Sequence, residues 1–421
     1  MPRYLVTIFS LFVLGLSFAL SVSAQQQIFK GVKFKDADAV LVSQHSPQDS
    51  KILYDWQANQ TLVPASLTKL VTAWLALEKW GAEHRFTTDF YLHQSDSETT
   101  LWIRGYGDPF LTSEELDSVA EQLAPLLNKV DRIAVDNSWF DITKVPGRTR
   151  VVDPYNAPLS AVSANFNTVF LERRDGQLMS AEPQTPLTAT AVRVGRGLRK
   201  DKERVNLVNS DNAQHYFAEL LAQKMDLPTP TIVVNSKVPL IAEKILSYKN
   251  SNTLSDNLRA SLKYSNNFIS NQIFLKLAES QSYEIDHDGR DTSSSQKLSF
   301  DDARRVAELK LKQHYSWHDF SIAEGAGLSR DNRFNAKQID DVLVSLKAQK
   351  SLLKHIDVGD DRVEVYAKTG TLEGVRSYAG YIQVNDKDVV ANYTFVFIFN
   401  RNVPFKYRDA MLSKLLKDLQ Q

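Results

Sequence analysis

A serine and a lysine three residues apart, Ser66 and Lys69, form the first pattern in the chain that could do chemistry. Apolar side chains recur at helical spacing over residues 67–80, which predicts that Ser66 begins a helix. Residues three apart share a helix face, so the Ser66 hydroxyl would lie within reach of the Lys69 amine. The backbone N–H groups at a helix start also favour a developing negative charge. This position therefore suits a serine nucleophile with a lysine as its base. The same spacing recurs in a serine-rich and a lysine-flanked segment, where composition explains it, at Ser294/Lys297 and Ser351/Lys354.

A lysine acts as a base only when it is neutral, and burial or a neighbouring cation lowers its pKa to make that possible. A second lysine is therefore expected close to Lys69. The sequence offers Lys368 at the end of residues 363–368, which are predicted to form an edge strand. Lys368 could hold a substrate carboxylate and lower the pKa of Lys69.

Three residues that follow Lys368 complete this pattern. Thr369 could bind the same carboxylate. Gly370, which has no Cβ, would let a substrate backbone approach the strand. The N–H of Thr371 would join that of Ser66 as a second donor to an oxyanion.

A Ser-x-Asn triplet would be the third element, with the hydroxyl relaying a proton to the leaving group and the amide orienting the substrate or the lysine. The triplet is degenerate, and it occurs at Ser163/Asn165, Ser210/Asn212, Ser255/Asn257 and Ser265/Asn267. The segment from Ser255 precedes an apolar helical pattern and is typical of a helix N-cap. Ser265 and Asn267 lie between two predicted helices, where side chains can project into a cleft. We therefore prefer this pair.

Composition excludes several other chemistries. The chain of 421 residues has no cysteine, which removes disulfides, thiol nucleophiles and thiolate metal sites. Its 50 basic residues balance 50 acidic ones, so it lacks the basic excess of a nucleic-acid-binding protein. No His, Asp or Glu spacing indicates a metal, and nothing indicates an organic cofactor. The Gly-x-Ser-x-Gly elbow of another hydrolase fold is absent.

The first residues resemble a targeting signal. An almost entirely apolar run over residues 5–20 follows Arg3 and ends in small side chains before three glutamines. This pattern is typical of a secretory signal peptide cleaved after Ala24. The alternative is an uncleaved membrane anchor, because residues 5–24 could just span a bilayer. We expect export to the periplasm, with at most a loose membrane-surface contact through the closing helix.

The elements that would position these residues lie at both ends of the chain. Residues 39–44 and 51–56 predict a hairpin, and residues 363–368, 375–384 and 389–400 predict three strands before a closing helix over 407–419. From about Phe86 to Pro239, short β-branched and aromatic runs alternate with turn residues. This change in pattern indicates a separate, strand-rich region. Helical patterns return from Asn250.

The order of these motifs resembles that of the penicillin-recognising serine enzymes. The long insert between the first two motifs narrows the resemblance to the D-alanyl-D-alanine carboxypeptidase/endopeptidase family, the class C low-molecular-mass penicillin-binding proteins. Further stretches resemble this family at residues 105–109, 136–140, 155–161 and 325–330. Five residues depart from its pattern: Asn266 stands where Asp is usual, Glu324 and Ala326 stand where Asp and Ser are usual, Arg148 stands where Trp is common, and Thr143 stands where an Asp is expected.

The resemblance implies an α+β fold with a transpeptidase-like domain, an antiparallel sheet flanked by helices, at residues 25–85 and 250–421 after the signal peptide at 1–24. It implies two smaller strand-rich inserted domains, domain II at 86–164 and 231–249 and domain III at 165–230. It also implies that peptidoglycan stem peptides acylate the serine and are then hydrolysed, with β-lactam antibiotics as covalent inhibitors. The catalytic residues would be Ser66, Lys69, Ser265, Asn267 and Lys368, and the substrate-binding residues Thr369, Gly370 and Thr371.

Two alternatives remain at this stage. One is a β-lactamase using the same cleft, in which Tyr264 of a Tyr-x-Asn triplet would be the proton relay. The long insert argues against it. The other is a non-catalytic cell-wall binding or sensor protein, which the joint presence of Ser66, Lys69 and Lys368 disfavours.

Overall fold

The computed structural model describes residues 28–46, 49–149, 151–279, 297–386 and 389–420, so the predicted signal peptide lies outside the described residues. The strands are β1 (Asp38–His45), β2 (Ser50–Trp56), β3 (Thr87–Gln94), β4 (Thr99–Gly105), β5 (Arg132–Asp136), β6 (Thr168–Arg174), β7 (Gln177–Ser180), β8 (Lys202–Asn206), β9 (Thr231–Val233), β10 (Glu243–Lys249), β11 (Lys354–Ile356), β12 (Val363–Leu372), β13 (Val375–Asp386) and β14 (Val389–Phe399). The α-helices are α1 (Thr68–Trp80), α2 (Ser113–Leu123), α3 (Ala189–Gly195), α4 (Ser210–Lys224), α5 (Leu254–Tyr264), α6 (Asn267–Lys276), α7 (Phe300–Tyr315), α8 (Ala336–Ser345) and α9 (Tyr407–Leu419).

The chain divides into two compact units. The first combines the residues up to Leu67 with those from Arg333 onward, and the second is Thr68–Asn332. The first unit contains a six-stranded sheet in the order β11-β12-β13-β14-β1-β2, with every neighbouring pair antiparallel. Strand β1 pairs with β14 along its whole length, which joins the two ends of the chain in one sheet. The predicted β1–β2 hairpin and the three strands near the end of the chain are confirmed.

Aromatic residues of β14 build the core of the first unit. Phe395, Phe397 and Phe399 share one face of the strand, because side chains two apart point the same way. They belong to one buried cluster with Leu412 and Leu415 of helix α9. The apolar side of this closing helix therefore packs on the sheet, which favours packing over the membrane contact that we considered from the sequence. In the described ranges, no helix has both the length and the apolarity needed to cross a membrane.

The prediction that Lys368 lies on an edge strand is partly wrong. Strand β11 pairs with β12 at Val365–Ala367, so the first half of β12 has neighbours on both sides. The residues from Lys368 to Leu372 extend beyond β11 and pair with β13 alone. Strand β11 was not predicted from the sequence, because it has only three residues, two of them basic, and therefore gives little hydrophobic signal. The open part of β12 begins at Lys368.

The second unit contains the two smaller sheets. One has five strands in the order β10-β3-β4-β5-β9 and is antiparallel except for the β4–β5 and β5–β9 pairs, and the other has three in the order β7-β6-β8. They share a hydrophobic cluster with helix α4 that includes Ile103, Val169 and Phe217. Both sheets lie within residues 87–249, a range that includes the predicted strand-rich region of short β-branched and aromatic runs. The α+β fold class is thus confirmed, and the boundaries of domains II and III stay predictions.

Candidate active site

Ser66 lies in a 3-10 turn, Ala65–Leu67, that leads directly into helix α1. Ser66 is partly exposed, whereas Pro64, Ala65 and Leu67 are buried. Ala65 has a φ of 50°, a left-handed conformation that costs an L-residue about 1 kcal/mol. Strain of this kind persists only where the surrounding structure holds it, and it is common at functional sites. The turn thus presents one hydroxyl between buried neighbours at the start of a helix.

Strand β12 supports this turn through a glycine. A Cβ on Gly370 would lie 2.1 Å from Ser377 Oγ, 2.9 Å from Pro64 O and 3.0 Å from Ser66 N. Ser377 in turn donates a hydrogen bond of 2.7 Å to the Pro64 carbonyl. Any larger residue at position 370 would push the serine turn away from the strand. The glycine therefore has a structural reason beside the predicted approach of a substrate, which stays a prediction.

The residues around Gly370 present polar groups at the open part of β12. Lys368 is buried, and its Nζ donates a 2.6 Å hydrogen bond to the Thr369 carbonyl. Thr369 is partly exposed and Thr371 is exposed. Arg408 of helix α9 donates to the Gly370 carbonyl at 3.1 Å and to Thr371 Oγ1 at 3.0 Å. Sequence analysis missed Arg408, because no motif links the closing helix to this strand.

Lys69 is fully buried in the second unit. Its Nζ donates to Asn267 Oδ1 at 2.7 Å and to the Ala326 carbonyl at 2.5 Å. Burial lowers the pKa of Lys69 to about 7, against the opposing effect of the Glu324 carboxylate. A buried ammonium is costly, and its neutral form is correspondingly favoured. Lys69 can therefore exist as a free amine near neutral pH.

Glu324 shapes the loop that reaches Lys69. Its buried carboxylate accepts hydrogen bonds from Ala326 N (2.9 Å), Gly327 N (2.7 Å), Leu328 N (2.8 Å), Ser329 N (3.3 Å) and Asn332 Nδ2 (2.6 Å). Backbone donors of this kind stabilise an ionised carboxylate and fix the loop around it. The Ala326 carbonyl is held toward Lys69 as a result. The sequence contained a signal for this role, an acidic residue before Gly325-Ala326-Gly327, but we interpreted Glu324 only as a departure from the family pattern.

The loop between helices α5 and α6 supplies the predicted Ser-x-Asn pair. Ser265 has a left-handed conformation with a φ of 54° and ends α5. The Asn266 side chain caps α6 by accepting a 3.1 Å bond from Ile269 N, a role that Asp would also perform. Asn267 accepts from Lys69 and donates from Nδ2 to the Tyr155 carbonyl at 3.0 Å. One residue of the preferred pair thus contacts the candidate base directly.

The competing triplet at Ser255 is placed at a helix start, as predicted, but Ser255 is not the cap. The N-cap of helix α5 lies two residues earlier than predicted, and the helix begins at Leu254. Thr253 is the N-cap, and it forms a capping box with Asp256. Asn257 is buried in the helix and donates to the Thr253 carbonyl at 2.7 Å. This triplet is therefore structural.

The predicted residues fall into two groups, one in each unit. The turn with Ser66 packs on the strand that carries Lys368, Thr369 and Gly370, and Lys69 contacts Asn267. Chemically, the first group has a partly exposed hydroxyl, a buried lysine and threonine hydroxyls, and the second has an amine whose pKa is lowered to about 7. In the described residues, no cluster of three or more His, Asp or Glu side chains could hold a metal ion.

Comparisons with known proteins agree with these motifs. The D-Ala-D-Ala carboxypeptidase 3 (S13) family matches residues 35–194 and 184–358. A D-alanyl-D-alanine carboxypeptidase of Actinomadura sp. (strain R39) is 36% identical over 95 residues, a stretch that covers 21% of this chain and 18% of that relative's length. The structure is similar to that of penicillin-binding protein 4 from Haemophilus influenzae, with a TM-score of 0.66 and 18% identity over 95% of this chain and 98% of that one. It is also similar to a predatory peptidoglycan endopeptidase from Bdellovibrio bacteriovorus, with a TM-score of 0.51 and 12% identity over 90% and 91% of the two chains. Since the family match covers well over half of the sequence, the chain belongs to the D-Ala-D-Ala carboxypeptidase 3 (S13) family.

Proposed function

We propose that this protein is a serine-type D-alanyl-D-alanine carboxypeptidase/endopeptidase that hydrolyses peptidoglycan stem peptides through an acyl-enzyme on Ser66. One observation carries the proposal: the buried Lys69, three residues after a partly exposed serine, has a pKa of about 7. A lysine of this kind can take the hydroxyl proton, which an ordinary ammonium cannot do. Family membership and the Lys-Thr-Gly strand support the same reaction.

In the acylation step, the neutral Lys69 amine accepts the proton of the Ser66 hydroxyl while the oxygen attacks the carbonyl between the two D-alanines. The N–H groups of Ser66 and Thr371 stabilise the oxyanion that forms. Lys368 and Thr369 bind the terminal carboxylate, which orients the scissile bond.

In the next step, the tetrahedral intermediate collapses and the C–N bond breaks. The proton reaches the leaving amine through the Ser265 hydroxyl, and D-alanine or a cross-linked peptide departs. Asn267 keeps the Lys69 amine in place by accepting its hydrogen bond. Water then attacks the ester, with Lys69 again taking a proton, and the free serine is restored.

A β-lactam presents a strained amide and a nearby carboxylate to the same groups. We therefore propose that penicillins acylate Ser66 as covalent inhibitors. The penicillin-binding protein of Haemophilus influenzae is known in complex with a β-lactam, which supports the proposal by likeness of fold. We further propose that the chain is exported to the periplasm, where peptidoglycan is found, after cleavage behind Ala24.

The decisive experiment is intact-protein mass spectrometry after exposure to penicillin, with the adduct mapped to a peptide. We expect one adduct on Ser66 and release of D-alanine from a pentapeptide ending in D-Ala-D-Ala. A Ser66→Ala variant serves as the control and should show neither. An adduct on another serine, or no adduct together with no released D-alanine, would overturn the proposal. Rapid hydrolysis of penicillin without peptide cleavage would indicate a β-lactamase instead.

A further inference from the structure

A large cavity in the second unit adjoins the Ser265–Asn267 loop and is not used by the reaction described above. Its volume is about 800 Å³. Ser265 and Asn267 line it, together with residues from the region of the two smaller sheets, including Phe166, Gln184 and Arg204. A ligand in this cavity would lie beside the residues that handle the scissile bond. The cavity is therefore a candidate subsite for a part of the same substrate other than the scissile bond.

Phe166, which lines this cavity, has an unusual backbone conformation. Asn165, Phe166 and Asn167 have φ values of 49°, 58° and 52°, so three successive non-glycine residues are left-handed. Each such residue costs about 1–2 kcal/mol. A run of three is unfavourable unless the surrounding structure imposes it.

Side-chain hydrogen bonds impose this turn. Asn165 Oδ1 accepts from Ser113 N at 2.8 Å, and Asn165 Nδ2 donates to Ser113 Oγ at 2.9 Å and to the Tyr216 hydroxyl at 3.1 Å. Asn167 Nδ2 donates to the Pro158 carbonyl at 2.9 Å. Both asparagines are buried, while the phenylalanine between them is partly exposed. The turn thus fixes the position of one ring.

The ring of Phe166 widens an aromatic surface. Its centroid lies 5.2 Å from that of Phe110 and 6.4 Å from that of Phe268, both in edge-to-face arrangements. Two further rings on the cavity wall, those of Tyr155 and Tyr264, are 54% and 72% exposed. Aromatic rings held open to solvent inside a concave site are typical of ligand contacts.

Three charged side chains line the cavity, the carboxylates of Glu114 and Glu182 and the guanidinium of Arg204, so charges of both signs are present. Arg204 forms an ion pair with Glu182 and donates from Nη1 to Thr168 Oγ1 at 3.0 Å. The strand that carries Thr168, β6, lies between β7 and β8, and Arg204 lies on β8, which is an edge strand of this sheet. Aromatic faces with amide, hydroxyl and charged groups of both signs suit a neutral ligand rich in hydroxyl and amide groups.

We propose that this cavity binds an N-acetylhexosamine of peptidoglycan, with Phe166 as the platform for the sugar ring. A pyranose has C–H groups on its faces that pack on an aromatic ring, and hydroxyl and acetamido groups on its edge that hydrogen-bond. The inference rests on the proposed function, since it assigns the glycan of that same substrate.

The test compares two substrates that differ only in the sugar: a free pentapeptide, and the same pentapeptide carried on N-acetylglucosaminyl-N-acetylmuramic acid. The readout is the ratio of the two kcat/KM values for D-alanine release by the mature chain. We expect the wild type to prefer the sugar-bearing substrate about tenfold. A Phe166→Gly variant, which accepts a φ of 58° without strain, should bring this ratio close to one. Phe166→Tyr should retain the preference, and so should Met179→Ala, a matched change of an exposed apolar residue on β7 outside the cavity.

A second measurement does not depend on any variant. Di-N-acetylchitobiose should bind the wild-type protein after penicillin has blocked Ser66, as detected by saturation-transfer NMR. Equal kcat/KM values for the two substrates, or no binding of the disaccharide, would overturn the proposal. The proposal would also be wrong if Phe166→Gly altered cleavage of a sugar-free cross-linked peptide instead, because the cavity would then bind peptide. Failure here leaves penicillin labelling and pentapeptide cleavage intact, whereas failure of the proposed function removes both.

Discussion

Two buried lysines of the second unit, Lys69 and Lys276, show how differently one residue type can be used. Both donate to a backbone carbonyl, Lys69 to Ala326 at 2.5 Å and Lys276 to Tyr106 at 2.6 Å. Lys276 also forms an ion pair with the carboxylate of Glu279. The acidic group that acts on Lys69 is Glu324, whose oxygens accept backbone N–H groups, and burial outweighs its effect on the Lys69 pKa.

Burial alone therefore does not make a lysine a base. A lysine next to a carboxylate gains from staying charged, because the pair compensates the loss of water. A lysine whose acidic neighbour is engaged elsewhere gains more from losing its proton. Lys276 is therefore held in an ion pair, whereas Lys69 has the environment of a proton acceptor.

The largest expected effect comes from replacing the proposed base. Lys69→Met should slow acylation by penicillin by a factor of about 10³ or more, since general-base catalysis contributes roughly 10²–10⁴. The fold should survive, because an apolar side chain of similar length avoids burying a charge. Acylation rates and thermal unfolding of the purified variant measure both quantities. Rapid acylation of a well-folded Lys69→Met protein would show that another group takes the serine proton.

The matched change at the other lysine should affect stability instead. Lys276→Met leaves the Glu279 carboxylate without its ion-pair partner and should cost about 3 kcal/mol of unfolding free energy. The acylation rate of the folded fraction should change much less than in Lys69→Met. Urea unfolding followed by acylation kinetics gives the two values. If Lys276→Met lost activity as completely as Lys69→Met while remaining stable, the distinction between the two lysines would fail.

The pH dependence of acylation sharpens the comparison further. Because the pKa of Lys69 is lowered to about 7, the neutral amine becomes the major form only above that pH. The acylation rate of the wild type should therefore rise about tenfold between pH 6 and pH 8 and then level off. Stability should change in the same direction: the unfolded chain holds the lysine proton up to about pH 10.5, so the Lys69 contribution to the unfolding free energy grows from pH 7 to that value.

Variants separate Lys69 from other titrating groups in this profile. Lys69→Met should remove the rise in stability above pH 7. Glu324→Gln should move the midpoint of acylation to lower pH, because the carboxylate raises the Lys69 pKa. A midpoint that stayed at the same pH in Glu324→Gln would indicate that a different group controls the rate.

The sequence predicted the residues with local signals and missed those held by distant contacts. Ser66 and Lys69 share one helix start, and Lys-Thr-Gly follows a clear β pattern, so residue type and spacing were enough to propose these residues, whose roles stay predictions. Arg408 contacts Gly370 from a helix, and the two residues are 38 positions apart in the chain. Neither segment contains a sequence pattern that predicts this contact.

Short elements and packing explain the remaining differences. Strand β11 is too short to show alternation, so the edge position of β12 was overestimated. The reason for Gly370 given by the structure depends on Ser377 and Pro64, which come together only when the sheet and the serine turn pack. The buried state of Lys69 likewise depends on loops that lie about 200 residues or more away in the chain. The need for a low Lys69 pKa could therefore be predicted from the sequence. The physical cause of that pKa arises only when these loops pack around the amine.

The smallest predicted effects come from Ser265. Two substitutions there distinguish the role of its hydroxyl from the role of its backbone conformation. Ser265 is left-handed with a φ of 54°, so Ser265→Gly should stabilise the fold by about 1 kcal/mol, while Ser265→Ala keeps the strain. Both variants lose the hydroxyl and should slow peptide hydrolysis by a similar factor of about 10². Tyr264→Phe, one residue away, should leave hydrolysis unchanged if Ser265 is the relay. Since neither change at position 265 touches the contact between Lys69 and Asn267, the pH midpoint of acylation should stay near 7 in both. A shifted midpoint would mean that the Ser265 side chain, and not only burial, affects the Lys69 pKa. Unfolding curves and pH profiles of acylation for the three variants decide between these outcomes.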